Sequence, residues 1–230
     1  MALHERPQAE SLKTLRQEIE SCRACPRLVE WRELVALEKR AAFADQEYWG
    51  RPVAGFGDPQ GHIFILGLAP AAHGANRTGR VFTGDRSGDF LYAALFRAGM
   101  ANQPQSFARD DGLELTGAFV GAAVRCAPPA NKPTPAERDA CMPFAERELA
   151  LIAPRVILCL GAFAWDAALR LTGPAPSPKP KFGHGAELAT ATGPLLLGCF
   201  HVSQQNTFTG KLTEPMIDSL LERAKELAAL

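Results

Sequence analysis

His62-Ile63-Phe64-Ile65-Leu66-Gly67 opens onto the glycine-rich stretch GLAPAAHGANRTGRVFTGDRSG, residues 67–88. A short β-rich run bounded by glycine reads as a buried strand entering a loop, and a loop of this length is usually functional. DFLYAALFRAGM (89–100) then carries the apolar spacing of a helix, predicted over 87–99. The order recurs downstream. TGAFVGAAVRC (116–126) reads as a strand, 135–152 as a helix, RVILCLG (155–161) as a strand, AFAWDAALRLTG (162–173) as a helix ended by Gly173, and LLLGCFH (195–201) as a strand. This alternation predicts an α/β fold with a mostly parallel central sheet, covered on both faces, whose site lies at the carboxyl ends of the strands.

Upstream, residues 9–22 and 26–47 interleave charge with Leu, Ile, Val and Trp, which predicts two helices flanking Cys22-Arg23-Ala24-Cys25-Pro26. Residues 174–185, PAPSPKPKFGHG, read as a stiff, exposed connection. A chain of 230 residues, 47% hydrophobic and 22% charged, is ordinary for a globular protein and can bury its own core, so one domain over 1–230 is expected. Lys plus Arg and Asp plus Glu balance at 25 each. No global basic field exists, and any anionic partner must be held locally.

The first residues, with His4, Glu5, Arg6 and Pro7, carry no apolar signal core, and no apolar run reaches bilayer length. A cytoplasmic protein without membrane contact is expected. In that reducing compartment six cysteines do not suggest a disulfide framework; metal ligation, catalysis or burial is the alternative. Cys22 and Cys25 form C-x2-C, and Cys126 and Cys141 follow with fourteen residues between them. Four thiolates suit tetrahedral zinc or an iron–sulfur cluster, and spacing alone does not choose. Cys126 and Cys141 are otherwise small buried hydrophobes, which is how Cys159 and Cys199 read within their apolar strands.

Four ordered segments, CRACPRL (22–28), the 67–88 loop, VRCAPPANKPTP (124–135) and HVSQQNTFTGKLT (201–213), together resemble the family 5 uracil-DNA glycosylases, the iron–sulfur branch of that superfamily. The resemblance runs from Cys22 to Thr213. It implies a uracil-DNA glycosylase-like three-layer α/β/α fold. It also implies a 4Fe-4S cluster on Cys22, Cys25, Cys126 and Cys141 that staples the N-terminal helices, about 9–47, to the sheet. The implied activity is base excision repair, in which a deaminated base is flipped from DNA and its N-glycosidic bond hydrolysed to leave an abasic site. DNA carrying uracil or other deaminated bases is the implied partner, and a monomer is expected to act on it.

Site residues follow from the same resemblance. Phe82 matches the aromatic that stacks on the flipped base, although from sequence alone it also reads as core. His201 matches the histidine of the H-P-S motif, here His201-Val202-Ser203 with valine in the proline position, and can donate to a carbonyl oxygen of the leaving base. Asp85 matches an aspartate that positions water or stabilises the sugar cation; an aspartate directly before an apolar helix is equally an N-cap. Asn131 and Asn206 are loop amides able to read a base edge, position water or bind phosphate, or simply to make turns. Gly67, Ala69, Pro70 and Ala71 form the first motif loop, which lacks a carboxylate. His73 is a substrate contact or a hydrogen-bonded structural histidine, and Ser87 and Ser203 are phosphate donors. Arg77, Arg80, Arg86, Lys132, Lys179, Lys181 and Lys211 are loop cations that can face DNA or solvent. Ala122 stands where uracil-specific relatives carry an asparagine, which implies weak discrimination and admission of hypoxanthine.

Two other readings use the same residues. An iron–sulfur DNA-binding or redox protein would need only the cysteines. A nucleotide-binding enzyme would need a phosphate loop, but GFGDPQG (55–61) precedes its strand.

Overall fold

The computed structural model describes residues 11–174, 177–191 and 193–229. The helical start expected at residue 9 and positions 175 and 176 of the proline-rich connection lie outside the described residues. Helices α1 (Leu12–Ser21) and α2 (Pro26–Glu38) flank the cysteine turn, and a two-residue strand β1 (Phe56–Gly57) precedes β2 (Ile63–Gly67). Then come α3 (Ala75–Thr78), α4 (Arg86–Arg97), β3 (Ala118–Ala122), α5 (Pro135–Ile152), β4 (Val156–Leu160) and α6 (Ala162–Leu171). The chain closes with β5 (Glu187–Leu188), β6 (Leu195–Cys199), α7 (Gln204–Phe208) and α8 (Glu214–Ala229).

The sheet order is β1-β3-β2-β4-β6-β5. The four central strands are parallel, and the two short edge strands pair antiparallel. Successive strand residues point to opposite faces. Ile63 and Ile65, with Val120, Leu158 and Leu197, pack with Leu91 and Leu95 of α4 and Leu221 of α8. Phe64 and Leu66, with Phe119 and Ile157, pack with Trp165 of α6 and Met142 of α5. Both faces are therefore apolar, which is why each central strand reads as an unbroken hydrophobic run.

Two boundaries differ most from the sequence expectation. The helix predicted over 26–47 ends at Glu38, because Lys39 turns to φ 55° and Arg40 is extended. The residues beyond it wrap the loop after β2 instead: Trp49 N–H donates to Arg77 O at 2.9 Å and Gly50 N–H to Asn76 O at 3.0 Å. Leu37, which supplied part of the apolar spacing, is 80% exposed. The strand predicted to 126 ends at Ala122, so Cys126 lies in the loop beyond β3. There the backbone is drawn away from the sheet, with Val53 N–H donating to Arg125 O at 2.7 Å. Among the described residues no helix is long and apolar enough to cross a membrane.

A buried ion pair ties these layers together. Arg125 donates to both oxygens of Glu148 on α5, at 2.9 and 2.6 Å, and both side chains are almost fully buried. Glu148 also accepts Gly55 N–H at 3.0 Å. Removing one partner leaves the other charge buried and alone. Glu148→Ala is expected to destabilise the fold by about 3–5 kcal/mol, measured by urea unfolding. A loss below about 1 kcal/mol, the range of surface pairs, would contradict this.

Candidate active site

A cleft of about 460 Å³ opens at the carboxyl ends of the central strands. Leu68 to Ala71 enter it from the loop after β2, Phe82, Asp85 and Ser87 from the approach to α4, Asn131 from the loop after β3, and His201 and Ser203 from the end of β6. It sits where β2 separates β3 from β4, so consecutive connections leave the sheet in opposite directions and a crevice forms.

Phe82 lies over the end of β2. A Cβ on Gly67 would stand 2.7 Å from the Phe82 ring, so the absence of a side chain there lets the ring lie against the strand. The Phe82 backbone is left-handed at φ 51°, uncommon for a bulky residue and costing on the order of 1–3 kcal/mol. Ala130 and Asn131, at φ 51° and 54°, share that conformation on the opposite wall. Such strain persists only where neighbours over-determine it. Here the buried Tyr92 hydroxyl donates to Val81 O at 2.9 Å, and Arg77 Nη2 donates to Gly84 O at 2.7 Å. Arg80, also buried, donates to Thr83 Oγ1 at 3.0 Å, Ser106 Oγ at 2.8 Å and Asp111 Oδ2 at 2.6 Å. The Arg80 guanidinium and three backbone N–H groups hold the Asp111 carboxyl down at about 2, against its partial burial.

Asp85 is both the N-cap of α4 and part of the cleft wall. Its Oδ1 accepts Ser87 N–H at 2.9 Å and Gly88 N–H at 3.0 Å. Burial raises its pKa above the ordinary aspartate value, and the two N–H groups and Arg77 offset only part of that rise. A side chain at Gly74 would collide with Oδ2, so glycine there allows the loop to close over the carboxylate.

His201 stands across the cleft, its ring 6.4 Å from that of Phe82. Burial lowers its pKa, so the imidazole is neutral at neutral pH. Asn206 lies behind it and donates Nδ2–H to His201 O at 2.8 Å, which fixes the backbone rather than lining the cleft. Gly67 and His73 are likewise outside the lining. His73 Nδ1 meets the Tyr48 hydroxyl at 3.1 Å. Leu68, Val81, Ala130 and Gln205 line the cleft without having been singled out in the sequence. Leu68, Val81 and Ala130 are apolar and carry no chemical signature, and Gln205 is one polar residue in a polar run, so only the placement of their neighbours could have flagged them.

The loop cations divide. Arg77 and Arg80 are buried and occupied by the contacts above, so their charge is internal to the fold. Lys179 pairs with Asp166 at 2.7 Å, Arg86 lies 5.5 Å over the exposed ring of Phe208, and Lys211 lies 5.0 Å over Phe200.

A profile of the uracil DNA glycosylase superfamily matches residues 54–225. The chain is 57% identical to a type-5 uracil-DNA glycosylase of Mycobacterium bovis, over 96% of this chain and 84% of that protein. Identity is 55% to the type-5 protein of Mycobacterium leprae, over 96% and 98%, and 52% to that of Thermus thermophilus, over 93% and 97%. The chain belongs to the uracil DNA glycosylase superfamily, in its type-5 branch.

In this superfamily member the four cysteines singled out in the sequence gather beside the cleft. Cys126 and Cys141 share a small apolar cluster with Leu28 and Val124, with Cys25 and Ala69 packed against it. Cys22 lies within electrostatic reach of the other three. Burial raises the pKa of Cys25 and Cys141 and pushes that of Cys126 up to about 12, so these sulfurs are thiols unless a cation binds them. In a tetrahedral zinc site, with Zn–S of about 2.3 Å, sulfurs stand only about 3.8 Å apart. Among the described residues no three His, Cys, Asp or Glu side chains are grouped to hold one metal ion. Four soft cysteine sulfurs drawn from three separate segments are the donor set that a zinc ion or an iron–sulfur cluster takes.

Gly67→Ala is expected to displace the Phe82 ring and destabilise the protein by about 1–3 kcal/mol, as overpacking does. Urea unfolding, with amide exchange across residues 81–85, reads both effects. Unchanged stability and exchange would mean that ring and strand do not press on one another.

Proposed function

We propose that this protein is a monofunctional DNA glycosylase that removes uracil from DNA during base excision repair, leaving an abasic site. The observation that carries the reading is the convergence of Phe82, Asp85, Asn131 and His201 on one cleft. The type-5 relatives, similar over most of their length, support it. A redox or DNA-binding protein without this chemistry would have no use for a strained aromatic facing a neutral histidine and a buried carboxylate.

The chemistry follows from where charge develops. Extruding a base costs a few kcal/mol, and stacking on Phe82 returns about 1–3 kcal/mol. As the C1′–N1 bond breaks, its electron pair goes to the uracil ring and positive charge grows on the sugar. Neutral His201, whose ring nitrogens make no hydrogen bond within the described residues, donates N–H to a carbonyl oxygen of the departing base. A donor fixed in advance costs no reorganisation during the reaction. The Asp85 carboxylate faces the sugar, stabilises its cation and orients the attacking water. Water oxygen bonds to C1′, its proton passes to Asp85 and then to the uracil anion. Asn131 holds the water or the base edge with its amide.

No side-chain amide closes β3, since Ala122 is buried there opposite Gly67. The cleft therefore reads the pyrimidine edge weakly, and hypoxanthine is a second expected base. The protein acts as a monomer, because one chain supplies every group, in the cytoplasm where its DNA lies. Ser87 and Ser203 sit at the rim to meet phosphates, while the Ser87 and Gly88 N–H groups are already taken by Asp85.

Cys22, Cys25, Cys126 and Cys141 are the residues that would hold a 4Fe-4S cluster. Such a group supplies a covalent staple between the N-terminal helices and the loop after β3. Ala69 packs on the cysteine cluster and lines the cleft, so the staple backs the cleft wall directly.

Abasic-site formation on uracil-containing duplex tests the reading. His201→Ala is expected to lower kcat about 10²–10³-fold. Asp85→Asn keeps a cap acceptor yet loses the charge, and is expected to lower kcat about 10²–10⁴-fold. The Asp85 value is raised in the fold, so its stabilising contribution is present at low pH and lost as pH rises through the folded value. Asp85→Asn should therefore melt no lower than wild type at neutral pH. In the wild type, activity should fall on acidification at a pH above the ordinary aspartate range, as Asp85 takes up its proton. Wild-type rates in both variants would remove these residues from the mechanism.

A further inference from the structure

Two arginines are almost completely buried, and their surroundings differ in one respect. Arg125 meets the carboxylate of Glu148 with both terminal nitrogens. Arg32, 2% exposed, meets no buried carboxylate. Its Nη1 donates to Cys126 Sγ at 2.9 Å and its Nη2 to Cys22 O at 3.1 Å, and its Nε has no partner. The nearest carboxylate, Glu33, is 44% exposed, stands 3.8 Å away and is itself held by Arg23. Asn76, fully buried, donates Nδ2–H to Arg32 O at 3.2 Å and fixes the helix at that point.

A buried guanidinium whose one nearby carboxylate is solvent-exposed, 3.8 Å away and shared with a second arginine is poorly compensated. Arginine is effectively always charged, so it cannot escape by losing a proton. The remaining compensation comes from what the guanidinium faces directly, and its Nη1 faces cysteine sulfur. Neutral thiols do not supply it, whereas four thiolates around a cluster core carry net negative charge.

We infer that Arg32 is the built-in counter-cation of the cysteine site, donating a charge-assisted hydrogen bond to the Cys126 thiolate when the site is loaded. This rests on the proposed assignment of a cluster to Cys22, Cys25, Cys126 and Cys141. Arg32 is a positioning residue with two consequences. Its charge and hydrogen bond favour the more negative, reduced form and so raise the reduction potential of the site. It also holds Cys126 and Cys22 together, slowing loss of iron. Arg32 thus supplies a fixed, charged donor beside the cysteine sulfurs.

The test compares anaerobically purified wild type, Arg32→Met and Arg32→Lys. Iron and sulfide content, reduction potential by EPR-monitored titration, and the rate of iron release to a chelator are read on each. Arg32→Met, close in volume and uncharged, is expected to shift the potential to more negative values. Its iron release should be about 10- to 100-fold faster, the range for loss of an outer partner of a metal ligand. Arg32→Lys keeps the charge without the fork and should fall between. Iron-free wild type would overturn the cluster assignment, whatever the variants do. Iron-containing wild type with unchanged potential and release in Arg32→Met would overturn the role of Arg32 alone. So would an Arg32→Met chain that is unfolded without metal by circular dichroism while metal-free wild type is folded, since Arg32 would then serve the fold rather than the cluster.

Discussion

Two buried guanidinium groups hold the turn from Gly79 to Asp85 in a shape its own sequence disfavours. Arg77 grips the turn at Gly84 O and Arg80 at Thr83, and Arg80 also reaches Ser106 and Asp111 in a neighbouring loop. With these contacts made, Phe82 remains left-handed and its ring lies on Gly67; without them the backbone would relax to the extended region any phenylalanine prefers. The distance between aromatic slab and carboxylate is thus fixed by residues that line no part of the cleft. The loop is rigid where it carries chemistry because its cations face inward.

The sheet supplies the second wall. A parallel order with β2 between β3 and β4 makes the connections diverge, and the strand farther along, β6, delivers His201 to the same end. The position of His201 depends on Gly161 at the end of β4, where an added Cβ would stand 3.2 Å from the histidine's own. Asn206 then pins the histidine backbone from α7. Burial keeps the imidazole neutral, so its proton is available as a hydrogen-bond donor and its positive form does not repel the cationic sugar.

The central strands were legible because burial on both faces forces continuous apolar runs such as IFILG and VILCL, and helix α5 fell at its predicted bounds because Thr134 and Glu137 form a capping box. Helix α2 was drawn too long, since Leu34 and Leu37 have helical spacing but are exposed, and the following residues are claimed by long-range bonds to the loop after β2. The two-residue edge strands and α8 were not singled out: pairs that short have no pattern, and a mixed charged and apolar tail gives no chemical cue. The convergence of His201, Asp85 and Phe82 on one cleft was legible through motif resemblance, whereas Arg77 and Arg80 read as cations facing DNA or solvent. Nothing in a local string distinguishes an arginine facing DNA from one that meets Ser106 or Gln46 across the fold.

Asp85 was read both as a cap and as a reactive group, and the geometry makes the two uses compatible by dividing the oxygens. Oδ1 takes both N–H bonds at the start of α4, which locks the side-chain torsions. Oδ2 has no hydrogen bond within the described residues and lies beneath Gly74, where only a residue without a side chain fits. A carboxylate oxygen fixed in direction and shielded from bulk solvent can bind a small polar species but little else. Capping therefore contributes to the chemistry: the helix supplies the orientation that a free aspartate would lose entropy to acquire. The cost is a buried negative charge, which a developing sugar cation in front of the unused oxygen would offset under the proposed mechanism.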